Sequence, residues 1–229
     1  MIHINDLYGQ DHEIDLDNLG NRAFCMDCME LMKALPDKCF ELAIVDPPYG
    51  IGANKMTLGN GKTKIFRGND DWDKCAPPSD YFNELQRVSV NQIIWGANHF
   101  TETFHKNSPC WIFWDKGTGD NDFADGEYAY TSFQSHARKF FYSWVGANAR
   151  DKNESRIHPT QKPIELYAWQ LATFAHKGDR ILDTHLGSGS SRIAAWQAGY
   201  DFLGCEIDKD YYEQGCQRYE SYAAQCKLF

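Results

Sequence analysis

The chain has 229 residues, of which 42% are hydrophobic, 14% aromatic and 24% charged, and its formal net charge is −9. That composition is ample for one packed core and excludes intrinsic disorder, and the length points to a single domain over 1–229 with at most an inserted lobe. The acidic balance excludes a protein that coats nucleic acid nonspecifically, no stretch approaches the apolar length of a membrane span, and the polar start "MIHINDLYGQ" has no signal-peptide character.

In chain order, a strand at Arg22–Cys25 leads into a helix over Cys28–Leu35, and a second strand occupies Glu41–Val45. That strand must stop at Asp46, because proline cannot continue a ladder and each proline forces its predecessor into extended geometry. Asp46-Pro47-Pro48-Tyr49-Gly50 is therefore a stiff loop with a carboxylate at one end and a phenol ring at the other. It is either an ordinary strand exit or a rigid frame for a small planar group. The aperiodic stretch 51–80 follows; its first part, "IGANKMTLGNGKTKIFRG", carries Lys55, Lys62, Lys64 and Arg67 and no acid.

A helix over Ser79–Val88 and strands at Gln92–Trp95 and Cys110–Trp114 come next. The irregular portion 117–156 is expected to be an inserted lobe; it includes a strand at Phe140–Trp144 and a second basic run with Arg138, Lys139, Arg150, Lys152 and Arg156. Each run is either a solvated loop or part of a surface for a phosphate backbone and bases. The chain closes with a helix over Ile164–His176 behind Pro163, a strand at Arg180–Asp183, a helix over Ser190–Ala198 stopped by Gly199, a strand at Phe202–Glu206 and a helix over Tyr211–Ala224. Strands alternating with helices imply an α/β sheet.

Eight cysteines in a chain without an export signal are expected to be reduced in a cytoplasmic protein. Cys25 and Cys28 form one C-x-x-C, but no second pair stands at zinc-finger spacing, so no metal site is expected.

The segment "RILDTHLGSGSS" is a strand, a glycine turn and a helix start, the arrangement that lets backbone amides face a ligand closely. Arg192 stands where a dinucleotide fingerprint needs its third glycine, which argues against a pyrophosphate. Asp183 at the strand end is placed to meet a cation, and Glu206 at the tip of the next strand can accept from ribose hydroxyls. A ribose and a cationic head without a pyrophosphate describe S-adenosylmethionine. A P-loop fails at Met56, no G-x-S-x-G is formed, and the zinc hydrolase and deaminase signatures are missing.

Asp46-Pro47-Pro48-Tyr49 together with Asp183…Gly187-Ser188-Gly189 resembles the S-adenosylmethionine-dependent DNA amino-methyltransferases. The order, with the catalytic DPPY first and the glycine loop much later, resembles their circularly permuted β group. "HPTQKPIELYAWQL" at 158–171 and "AFCMDCMELMKALPDKCFELAIVDPPYG" at 23–50 are also similar to that group. The resemblance implies a Rossmann-like, mostly parallel sheet with one antiparallel strand and a small target-recognition insertion, expected within 117–156. It implies catalysis by Asp46, Pro47, Pro48 and Tyr49, and cofactor contacts from Asp27, Thr160, Lys162, Asp183, His185, Gly187, Ser188, Gly189 and Glu206. DNA contacts are expected from Lys55, Lys62, Lys64, Arg67, Arg138 and Lys139. The sequence departs from the family at Thr184-His185, where Pro-Phe is common. His185 either substitutes for that aromatic or is an ordinary loop histidine.

The chemistry suits these residue types. An exocyclic aryl amine is a poor nucleophile, and a carboxylate is too weak a base to deprotonate it. Asp46 and the Pro47 carbonyl can instead accept its two hydrogens and localise its lone pair, while Tyr49 offers a π-face to a base flipped from the duplex. DPPY rather than a serine-led motif favours adenine N6 over cytosine N4. The alternatives are a cytosine-N4 enzyme, an RNA or protein amide methyltransferase, and a non-catalytic DNA-binding relative. Double-stranded DNA is the expected partner and a homodimer is compatible with the resemblance; a restriction endonuclease partner stays open.

Overall fold

Burial on both faces explains the unbroken apolar run before Asp46: Ala43 and Val45 join one hydrophobic cluster, and Leu42 and Ile44 join the other. The computed structural model describes residues 1–52, 73–118, 124–144 and 156–225. Its strands are β1 (Ile2–Asn5), β2 (Asp11–Ile14), β3 (Asn21–Cys25), β4 (Phe40–Val45), β5 (Ser89–Trp95), β6 (Ile112–Asp115), β7 (Gly126–Thr131), β8 (Arg138–Phe141), β9 (Arg180–Asp183) and β10 (Asp201–Glu206). Its helices are α1 (Cys28–Ala34), α2 (Ser79–Val88), α3 (Ile164–Phe174), α4 (Ser190–Gln197) and α5 (Lys209–Gln225).

Eight strands form one sheet in the order β3-β10-β9-β4-β5-β7-β6-β8. β7 is antiparallel to both of its neighbours, and every other pairing in this sheet is parallel. The mostly parallel α/β sheet with one antiparallel strand is thus the expected architecture. α1 and α2 bury Leu31, Phe82 and Leu85 on one face, and α3 and α4 bury Leu171 and Ile193 on the other. No helix among the described residues is long and apolar enough to cross a membrane.

From β4 the chain runs outward through β5 to the β8 edge, then returns over α3 to β9 on the other side of β4. This is a topological switch point, where an open α/β sheet forms its ligand crevice beyond the carboxyl ends of the strands. Asp46 follows β4 and Asp183 ends β9, so the two motifs meet at that crevice.

Three elements differ from the sequence expectation. β1 and β2 pair as an antiparallel hairpin outside the main sheet, in a stretch where no element is expected. Only Ile4 and Ile14 are fully buried there, so the apolar signal is one residue per strand. The portion 117–156 is not a lobe apart from the sheet: its described residues supply β7 and β8, two integral strands. β7 escapes recognition because Asp125-Gly126 looks like a turn, although Ala129, Tyr130 and Thr131 are all buried. The strand expected at Phe140–Trp144 lies earlier, at β8. Trp144 leaves the sheet so that its indole can donate to the Gln161 carbonyl at 2.8 Å, beneath the segment that enters α3.

Candidate active site

The DPPY loop is held by two glycines. Gly50 has φ +72°, and a Cβ there would stand 2.7 Å from the Ala76 backbone nitrogen. Its own amide donates to the buried carboxylate of Asp73 at 2.8 Å. Gly96, just after β5, has φ +67°, and a Cβ there would lie 2.1 Å from the Tyr49 ring. Only glycine lets the phenol pack so closely against this turn. Pro47 is buried and Pro48 half-buried, completing the frame.

At the end of β4 four elements converge on one polar cluster. Asp46 Oδ2 lies 2.5 Å from Lys162 Nζ, and Asp46 Oδ1 accepts from the Tyr49 hydroxyl at 2.8 Å. Glu127 on β7 is 3.1 Å from the same ammonium through Oε2, which also accepts from Tyr49 at 3.2 Å. Its other oxygen meets Lys116 at 2.5 Å. Lys162, 3% exposed, also donates to the Tyr49 oxygen at 3.1 Å and lies 5.3 Å from the centre of the Trp95 ring. Two carboxylates and two ammonium groups sum to zero charge, which is how so polar a group is tolerated in the interior.

Burial pushes the Asp46 carboxyl above its ordinary range, and the Glu127 charge adds to this against the pull of Lys162. Burial acts on Glu127 in the same sense, but Lys162 and Lys116 overcome it and bring that carboxyl down to about 2. Lys162 is raised despite its burial by the two carboxylates. Tyr49 is held protonated by burial and by Asp46 and Glu127. One ring neighbour of Tyr49 is His99, stacked at 5.1 Å with 17° between planes.

The glycine-loop half joins contacts close in the chain to others that reach α2, β10 and α5. Asp183, 1% exposed, accepts from the His185 amide at 3.0 Å and from Ser191 Oγ at 2.5 Å. Burial is the main reason its carboxyl rises to about 7, and the nearby Asp46 and Glu206 charges contribute. Glu206 accepts from the amides of Gly187 at 2.8 Å and Asp208 at 2.9 Å. Gly187 and Gly189 adopt φ +49° and +72°, and Gly189 caps α4. Ser188 Oγ bonds Ser190 Oγ at 3.2 Å, and Arg218 of α5 donates to the Ser188 carbonyl at 2.8 Å.

His185 is a partnered histidine here. Its Nδ1 is 3.0 Å from Thr184 Oγ1, its ring meets Tyr81 edge-on at 5.3 Å, and burial lowers it to about 4. Asp27 caps α1 through Oδ1, accepting from Met29 and Glu30 at 2.7 and 3.2 Å, and its charge reaches His185. Thr160 Oγ1 bonds His158 Nδ1 at 3.1 Å. The His158 ring in turn lies 3.6 Å from the Cβ position of Gly187, and burial lowers its pKa to about 3.

Lys162, expected beside Thr160 on the cofactor side, bonds the DPPY carboxylate, at the crevice where the two motifs meet. Arg138 and Lys139 sit exposed on β8, the sheet edge, and Lys139 pairs with Asp115 at 2.7 Å. Lys55, Lys62, Lys64 and Arg67 lie outside the described residues. Glu127, Lys116 and His99 are missed by sequence reasoning. The tyrosines and threonine of the run after Gly126 were a β signal that would have placed Glu127 on a strand; nothing local marks the other two.

A family model for N6/N4 methyltransferases, described as DNA methylase, matches residues 90–217, more than half of the chain. That span holds Glu127, Lys162, Asp183 and Glu206. The type II methyltransferase M.HpaI of Haemophilus parainfluenzae is 23% identical over 245 residues, covering 89% of this chain and 75% of its own. The protein YubD of Escherichia coli (strain K12) is 25% identical over 211 residues, covering 84% and 87%. Among solved structures, the M1.HpyAVI–SAM complex shares the fold with a TM-score of 0.56 at 18% identity, over 86% of this chain and 98% of that one.

Proposed function

This chain belongs to the N6/N4 DNA methylase family, and from that premise we propose that it transfers a methyl group from S-adenosylmethionine to the N6 amino group of a flipped-out adenine in double-stranded DNA. The observation that carries the proposal is the meeting of Asp46 and Asp183 at the carboxyl ends of adjacent strands, one in a rigid acceptor frame and the other in a glycine loop.

The residues of the glycine-loop half fit the cofactor. Asp183 is a buried acid whose ionisation a bound cation would favour, and the glycines at 187 and 189 leave backbone open to a ligand. Glu206 keeps acceptor capacity for hydroxyls, since a carboxylate has about four lone-pair sites and two amides use part of them. When bound, S-adenosylmethionine supplies a methyl group on a positively charged, electrophilic sulfur.

The acceptor half acts on the base. Asp46 accepts one hydrogen of the amine and the Pro47 carbonyl accepts the other, which localises the nitrogen lone pair for attack. As the nitrogen gains methyl and positive charge, Asp46 stabilises that charge and is at hand for the proton that leaves. Tyr49 gives a stacking face worth roughly 1–3 kcal/mol, which offsets part of the cost of flipping. The basic segment after Gly52 follows the catalytic frame directly and is assigned to phosphate contact. Arg138 and Lys139, on the exposed sheet edge, are assigned the same task.

Cytosine N4 is the second reading, and one observation favours keeping it. An acceptor, Asp46, beside a donor, Lys162, complements an amino group next to a ring nitrogen, an edge that adenine and cytosine share. Expression in a methylation-deficient bacterium, followed by sequencing of modified bases, separates the two. N6-methyladenine at a recurring motif, lost with Asp46→Ala, is the expected result; N4-methylcytosine selects the second reading, and an unmodified genome from soluble protein refutes both.

A further inference from the structure

Asp46, Pro47 and Tyr49 are occupied by the reaction proposed above, but Glu127 has no part in it, although it touches both groups that bond Asp46, Lys162 and the Tyr49 hydroxyl. In the structure both oxygens of the catalytic carboxylate are taken. Lys162 holds Oδ2 at 2.5 Å and the Tyr49 hydroxyl holds Oδ1 at 2.8 Å. An incoming amine can take Oδ2 only by stripping a buried ion pair, so Oδ1 is the oxygen open to exchange. The displaced hydroxyl then needs a second acceptor, since a buried phenol without one loses about 1–3 kcal/mol. Glu127 Oε2 already stands 3.2 Å from that hydroxyl and 3.1 Å from Lys162.

We propose that Glu127 is a positioning residue of the transfer reaction: it anchors the Lys162 ammonium on Asp46 Oδ2 and receives the Tyr49 hydroxyl when the target amine takes Oδ1. The assignment rests on Asp46 being the amine acceptor. Glu127 is well placed for a fixed role. Lys116 clamps its Oε1 at 2.5 Å, and its strand is the antiparallel one, registered with Trp114 on β6. The site thus holds its own hydroxyl where an amine hydrogen would donate, and Glu127 makes that contact reversible without leaving the hydroxyl unpaired.

The charged and titratable groups that face Asp46 are Lys162 before α3, Tyr49 of its own loop, Glu127 on β7, Asp183 at the end of β9 and Tyr167 on α3. Of these, Glu127 raises the Asp46 pKa and Lys162 opposes it. Removing the Glu127 charge therefore makes Asp46 a stronger acid, so the acid limb of the pH profile moves down, not up.

The test is methyl transfer to DNA by wild type, Glu127→Gln and Glu127→Asp, with kcat and kcat/KM followed against pH and with S-adenosylmethionine binding measured by calorimetry. Glu127→Gln is expected to lower kcat roughly ten- to a hundredfold, by loosening the geometry of the acceptor. Its acid limb in kcat/KM is expected to move to lower pH, with cofactor affinity kept within about twofold. Glu127→Asp, which keeps the charge, should recover part of kcat with the acid limb near the wild-type position. Wild-type kcat in Glu127→Gln overturns the proposal, as does a loss with an unmoved acid limb that Glu127→Asp does not recover. Where Glu127→Gln fails to fold, full wild-type kcat in Glu127→Asp overturns it. If wild type itself transfers no methyl group, or Asp46→Ala stays active, it is the proposed function that fails.

Discussion

The two strand-end carboxylates of the crevice, Asp183 and Asp46, sit in differently built surroundings. In the glycine-loop half, Asp183 finds its partners two and eight positions away along the chain. In the acceptor half, Tyr49 bonds residues 78 and 113 positions away. The bonds to Asp183 are local geometry that a short motif can encode, although the loop around it is also tied to Tyr81, Glu206 and Arg218. Asp46 sits in a charge cluster that exists only because β4, β7 and the entry to α3 are brought together. The difference predicts where the molecule is brittle: a local site tolerates the loss of a neighbour, whereas a non-local cluster leaves buried charge behind when one member is removed.

Lys162→Met should therefore have the largest effect on stability. It leaves Asp46 and Glu127 facing each other across the Tyr49 hydroxyl, with only Lys116 to balance them, and a loss of about 3–5 kcal/mol is expected in urea unfolding. A loss below about 1 kcal/mol would mean that water repairs the cluster, and the contrast between the halves would collapse. Gly96→Ala comes next, at about 2–4 kcal/mol, because it combines a positive φ with a clash against the Tyr49 ring. Its midpoint by thermal melting should fall while cofactor binding persists, since the damage is confined to the acceptor half.

The glycine-loop half is expected to show itself through pH. Asp183 has a folded pKa of about 7 against an ordinary 3.8, so the folded protein binds the extra proton. The stability this group contributes is fully present below about pH 4 and is lost as pH rises to about 7, by roughly 4 kcal/mol. Burial lowers His158 and His185, which act in the opposite sense as pH falls, so the difference between wild type and Asp183→Asn isolates the carboxyl. That difference should slope between these limits; a flat difference would show that Asp183 is ionised throughout. S-adenosylmethionine binding near pH 6 should release a proton from Asp183, read as a buffer-dependent binding enthalpy. The smallest effect belongs to Lys139→Ala on the exposed edge, within about 0.5 kcal/mol of wild type in thermal melts. Its salt slope for DNA binding should fall by ~1 if the residue meets a phosphate.

The sequence by itself determined most of the parallel sheet, because β4, β9 and β10 are short apolar runs closed by acids, prolines or glycines, and those residues act on the backbone where they stand. It likewise determined that Asp46 ends one strand and Asp183 another, and that a glycine turn follows the second. The hairpin of β1 and β2 and the strand β7 were not legible, since a half-buried strand shows few apolar residues and Asp125-Gly126 mimics a turn. Only the tertiary structure decided that Lys162 pairs with the DPPY carboxylate, and that Glu127 and Lys116 complete its charge balance. The physical reason is that backbone preferences act between neighbours in the chain, while the pairing of buried charges is settled by distance in space.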